Sequence, residues 1–104
     1  MMSFSATFLV YPGREQEVVR ILLDHVEQAK NEPGVIVTHV YRSRTDPRRF
    51  FIYYELTDQA AFDAHRATQH YGARILTHLY GMLEPESLEM DIYDPLLSGE
   101  VPNP

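Results

Sequence analysis

Cysteine is absent from the 104 residues, which excludes disulfides, thiolate metal sites and a thiol nucleophile. No apolar stretch approaches the roughly 20 residues of a membrane helix. The first ten residues lack both a basic segment and a long apolar one, so no signal peptide is expected and a cytoplasmic location is the default. Positive charge is scarce. Nine Lys and Arg against 15 Asp and Glu give a formal net charge of -6, with a pI near 5.2. Such a chain repels phosphate backbones, and Arg42, Arg44, Arg48 and Arg49 crowd one turn beside an acid. Neither nucleic acid nor a membrane is expected as a partner.

Several short signatures are missing too. There is no G-x-G-x-x-G, no P-loop, no H-E-x-x-H and no nucleophile elbow for a Ser-His-Asp triad. His65 and His70 stand five apart, a poor spacing for two ligands on one helix, so no metal site is expected.

What is present is ordinary for one globular domain, at 44% hydrophobic and 23% charged residues. Residues 3–11 alternate, with Phe4, Ala6, Phe8 and Val10 opposite Ser3, Ser5 and Thr7, and Pro12-Gly13 ends this first strand. Residues 14–30 carry Val18, Ile21, Leu22, Val26 and Ala29 at helical spacing, stopped near Pro33-Gly34. Residues 35–42 and 49–56 are rich in β-branched and aromatic side chains around Thr45-Asp46-Pro47, which predicts a hairpin. Asp58 can cap a short helix over 59–66, and Thr68 can open another over 70–83, with Tyr71, Ile75, Leu79 and Met82 on one stripe. Residues 88–93 read as a last strand.

The order β-α-β-β-α-α-β predicts an α+β ferredoxin-like sandwich, a four-stranded antiparallel sheet with helices on one face. The domain is expected over residues 1–93, followed by a tail over 94–104 containing three prolines. Val35-Ile36-Val37 and Phe50 through Tyr54 place apolar or aromatic groups on both strand faces. A wet sheet face would alternate cleanly, so a homodimer through the open face is expected.

The stretch from Phe50 to Tyr71 joins a phenol-rich strand to two histidines. Tyr54 shares a strand face with Phe50 and Ile52, while Tyr53 and Glu55 point the other way. His65 lies one helical step beyond Phe62, and His25 three residues beyond Leu22, so both can aim at the core. An imidazole beside a phenol in a dry pocket can act as a general base or as a donor to a developing oxyanion. A buried His or Tyr can equally be a satisfied core residue. His39 and His78 are expected to be structural.

Glu32-Pro33-Gly34 before a strand, Arg49-Phe50 through Thr57-Asp58, Ala64-His65 and Thr68-Gln69-His70 together resemble the antibiotic biosynthesis monooxygenase domain family, over about residues 3–93. The resemblance implies a dimeric ferredoxin-like α/β barrel, often working without metal or flavin, with a pocket between sheet and helices. It implies a cofactor-independent monooxygenase of a small phenolic, quinol or polyketide-like compound. His65, His70 and Tyr54 would be the catalytic residues, and His25, Tyr53, Tyr71 and Ile75 would bind substrate. The chain is also similar to the branch that isomerises a phosphorylated autoinducer-2 signal, which leaves an isomerase open; a non-catalytic small-molecule-binding module is a third reading. The family commonly has Glu where this chain has Tyr54. The Asn-Trp-His set of haem-degrading relatives is replaced by Ala6, His65 and Ile75, so no haem or other cofactor is expected.

Overall fold

The computed structural model describes residues 1–68 and 71–96, the side chains at 73, 74 and 76 excepted. Four strands, β1 (Met2–Leu9), β2 (Val35–Arg42), β3 (Arg49–Leu56) and β4 (Glu89–Tyr93), form one antiparallel sheet in the order β2-β3-β1-β4. Helices α1 (Glu15–Ala29) and α2 (Gln59–Arg66) cover one face, giving the expected ferredoxin-like α+β fold.

Period-two alternation decides what the sheet buries. Met2, Ala6 and Phe8 of β1 and Phe50, Ile52, Tyr54 and Leu56 of β3 all turn to the helical side and are buried. Val18, Ile21, Leu22, His25 and Ala29 recur every three or four residues on α1 and close over them. Asp58 caps α2 as predicted, its carboxylate accepting from the Ala61 amide at 2.8 Å. Ser43 accepts from the amides of Thr45 and Asp46 and tightens the hairpin turn between β2 and β3. The two-faced run in β2 has a local cause, because the β2·β3 register slips between Val35 and Val37 and leaves Ile36 as a bulge turned to water.

Two elements depart from the sequence reading. The single helix expected over 70–83 is instead a π-helical turn (Tyr71–Leu76) followed by a 3₁₀ turn (Leu79–Met82). Gly72 and Gly81 weaken a regular helix here, and the Thr77 hydroxyl donates to the Gly72 carbonyl at 2.8 Å, five residues back. Thr68 does open the segment, accepting from the Tyr71 amide at 3.1 Å. The last strand alternates in register as expected but sits at the sheet edge beyond the helices, so even Met90 and Ile92 are exposed.

Among the described residues, no helix is long and apolar enough to cross a membrane.

Candidate active site

The chemistry-bearing side chains gather where α1, α2 and β3 meet. His25 is fully buried on α1 and His65 is 2% exposed on α2, with Tyr54 rising between them from β3. Ring centroids lie 5.1 Å apart for His25 and His65, 4.9 Å for Tyr54 and His65, and 5.4 Å for His65 and Tyr71. The four rings form one contiguous cluster.

Each imidazole has a fixed partner. The Tyr54 hydroxyl is hydrogen-bonded to Nε2 of His25. Nδ1 of His65 is hydrogen-bonded to the carboxylate of Glu32, in the turn after α1. A carboxylate only accepts, so Nδ1 is the protonated nitrogen and donates to it. Nε2 of His65 is buried and has no hydrogen-bond partner among the described residues. A buried orphan polar atom is costly and so calls for a reason, and this one belongs to a ring that lines a cavity.

That cavity lies between the sheet and the irregular turns, with Phe4, Ala6, Phe8 and Ile52 as floor and Tyr54, His65, Tyr71, Ile75, Leu79 and Tyr80 around it. It is smaller than a modest ligand pocket. Its free volume is about 30 Å³, room for a water molecule or two, because Tyr71, Ile75 and Leu79 pack down onto the strands. A larger crevice of about 250 Å³ opens between α1 and β2, beside Leu22, Leu23, Val40 and Phe50, but Arg42 is its one ionisable side-chain group apart from the Tyr41 phenol. Tyr41 belongs to the face of β2 that pairs against Phe51, away from the helices. The smaller cavity holds the acid-base groups, and chemistry outweighs volume in choosing between them.

Burial pushes the Tyr54 phenol far above its ordinary range, and Tyr71, Glu32 and Tyr80 nearby add to the rise. Burial also raises Tyr71, helped by Tyr80 and opposed by Arg66. Both stay neutral phenols at physiological pH. In the unfolded chain a tyrosine ionises near pH 10, so Tyr54 contributes stability that is fully present below about pH 10 and is lost as pH rises further. Tyr54→Phe should cost about 1 to 2 kcal/mol at pH 7, since His25 loses its partner at Nε2. The deficit against wild type should shrink in urea melts above about pH 10; a constant deficit would place the alkaline loss elsewhere.

Of the residues singled out in the sequence, His25, Tyr54, His65, Tyr71 and Ile75 come together. Tyr53 does not, because it lies on the open sheet face, where its hydroxyl meets Ser3 Oγ at 3.3 Å. His70 lies outside the described residues. His39 and His78 sit away from the cluster, at 2.8 Å from the Tyr41 hydroxyl and 3.2 Å from Glu17. Among the described residues, no three His, Asp or Glu side chains are grouped to hold a metal ion. The sequence pattern assigns no role to Glu32 or Tyr80. Glu32 was visible only as part of the Glu-Pro-Gly turn, with nothing in the spacing to connect it to His65.

This is a small ferredoxin-like α+β protein with paired histidines and phenols under its sheet. Residues 1–75 match the family described as antibiotic biosynthesis monooxygenase, and the chain belongs to that family. Solved structures agree on the fold. A crystal structure of an antibiotic biosynthesis monooxygenase is 22% identical over 93% of this chain and 100% of its own, with a TM-score of 0.85. Protein SO0527 of Shewanella oneidensis is 25% identical, covering 88% of this chain and 87% of its own, with a TM-score of 0.81. PA3566 of Pseudomonas aeruginosa is 23% identical over 92% and 94%, with a TM-score of 0.82. A comparison with curated proteins found no significant match.

Proposed function

We propose that this protein is a cofactor-independent monooxygenase of a small phenolic, quinol or polyketide-like compound. The observation that carries the reading is the buried Nε2 of His65, without a protein partner among the described residues and on the wall of an aromatic cavity. In the reaction, Nε2 removes a proton from an activated substrate CH₂. The carbanion adds dioxygen, forming a C–O bond; the resulting peroxide anion takes the proton back from the imidazolium. Loss of water then leaves a carbonyl, so CH₂ and O₂ become C=O and H₂O. No external reductant is needed, because the substrate supplies all the electrons.

Tyr54 suits the developing oxyanion. When Nε2–H of His25 donates to the Tyr54 oxygen, the phenol O–H is released toward the cavity, where burial has kept it protonated. Phe4, Phe8, Phe62 and Tyr71 offer flat aromatic walls. Admission of a ring-sized compound requires the turns over 71–82 to move away from the strands, and their irregular hydrogen bonding makes them the least constrained wall.

Phosphosugar isomerisation fits less well. The described lining residues include no Lys or Arg to meet a phosphate. Oxygen uptake with anthrones and quinols decides among the readings. Dioxygen consumed one for one with product supports the monooxygenase, while the same product formed anaerobically favours an isomerase. Saturable binding without product marks a binding module.

The open sheet face belongs to the proposal as well. Tyr41, Phe51 and Tyr93 are exposed there by 52%, 38% and 49%, more aromatic surface than a single wet face carries, and a second copy related by a two-fold axis covers it most simply. Phe51→Glu should shift the sedimentation coefficient from dimer to monomer; a wild-type monomer at tens of micromolar would refute the pairing.

A further inference from the structure

We infer that Glu32 is a positioning residue that sets the tautomer of His65 and so makes Nε2, rather than Nδ1, its reactive nitrogen. The geometry begins at a glycine. Gly34 has φ +85°, and a Cβ added there would lie 2.5 Å from the Ala61 Cβ and 2.9 Å from the Thr57 hydroxyl. Only a residue without a side chain lets the turn after α1 press this closely on the first turn of α2. The contact is locked by the Thr57 amide, which donates to the Gly34 carbonyl at 2.8 Å.

Ala61 lies one helical turn before His65, so the same contact holds Glu32 against the imidazole. The Glu32 side chain is 17% exposed and that of His65 1%, which places the carboxylate at the edge of the core and the ring inside it. A carboxylate there favours Nδ1–H and leaves the lone pair on Nε2, the atom without a partner among the described residues. It also stabilises the imidazolium that forms when Nε2 takes a proton. The catalytic consequence rests on the reading of His65 as the base; the tautomer does not.

Nitrogen-15 NMR of histidine-labelled protein tests the two parts separately. Wild type should show a protonated Nδ1 and a pyridine-type Nε2 at His65 near pH 8. In Glu32→Gln the neutral amide can either accept from Nδ1 or donate to it, so the tautomers should mix. Oxygenation by this variant should fall in kcat by about 10²-fold, with KM changed less than about threefold, as for other groups that orient a reactive imidazole. The thermal midpoint should stay near wild type, because the amide fills the same space. An unprotonated Nδ1 in wild type overturns the inference without further variants. So does Glu32→Gln with tautomer and kcat unchanged. A correct tautomer in a wild type that consumes no dioxygen upholds the positioning role and refutes the oxygenase reading instead.

Discussion

His65→Ala should lower oxygenation by about 10³-fold, within the range that a positioned general base supplies, while the fold persists. That factor corresponds to about 4 kcal/mol of transition-state stabilisation. The cost to folding should be about 2 to 4 kcal/mol, because deleting a ring buried against His25, Tyr54 and Tyr71 leaves a cavity, while the Glu32 carboxylate already reaches water and can rehydrate. The loss should appear in kcat, with binding of a product-like quinone altered less than tenfold. Should His65→Ala turn over at the wild-type rate, the proton goes to another group. Should it fail to fold, His65→Gln provides the same test with a similar volume.

Gly34→Ala should be the most destabilising of the alanine substitutions at Gly13, Gly34, Gly72 and Gly81. Two costs add: a non-glycine residue at positive φ loses about 1 to 2 kcal/mol, and the new methyl meets the Ala61 Cβ at 2.5 Å, an overpacking worth about 1 to 3 kcal/mol. Together they predict a loss of about 2 to 5 kcal/mol, or roughly 10 to 40 °C in Tm for a domain of this size. The substitution also pushes Glu32 away from His65, so kcat should fall in whatever fraction remains folded. By contrast Gly13→Ala, at φ +90° but with no atom within 4 Å of the added Cβ, should cost only the backbone part. Equal losses at the two glycines would show that the close approach at Gly34 carries no energy.

The legible parts of this protein were the local ones. The hairpin strands could be placed to the residue because alternation and turn chemistry act over a few positions, and Asp58 announces α2 by its side chain alone. Alternation also places Tyr54 and Tyr53 on opposite faces, as the structure has them, although both are expected at the site. Helical spacing brought His25 and His65 to the core. The partnership of His65 with Glu32 could not be read, since it spans 33 residues and depends on how closely one turn docks on a distant helix. The π-helical turn at Tyr71–Leu76 was hidden for a related reason. Its apolar stripe suits a regular helix, Gly72 and Gly81 merely weaken one, and the Thr77 hydroxyl bond and packing on the strands select the wider turn. Cavity size was unreadable altogether, being the residue of all these packings.

The family match and the solved relatives bear on fold and membership, and leave the reaction to the side chains. What the side chains offer is asymmetric. One imidazole is backed by a carboxylate and open on its other nitrogen among the described residues, and its neighbour is tied to a phenol that burial holds neutral. In the proposed reaction such a pair would separate base from donor within a few ångströms.

The account stands on the cavity beneath the sheet being where the organic molecule binds. Titration of labelled protein with a hydroxylated quinone, which resembles the product and has no CH₂ to oxygenate, tests this directly by NMR. Saturable shifts at the His65 imidazole, Tyr71 and Ile75 are predicted, with Leu23 and Val40 unmoved. Shifts confined to Leu22, Leu23 and Val40 of the α1–β2 crevice, with His65 silent, would contradict it.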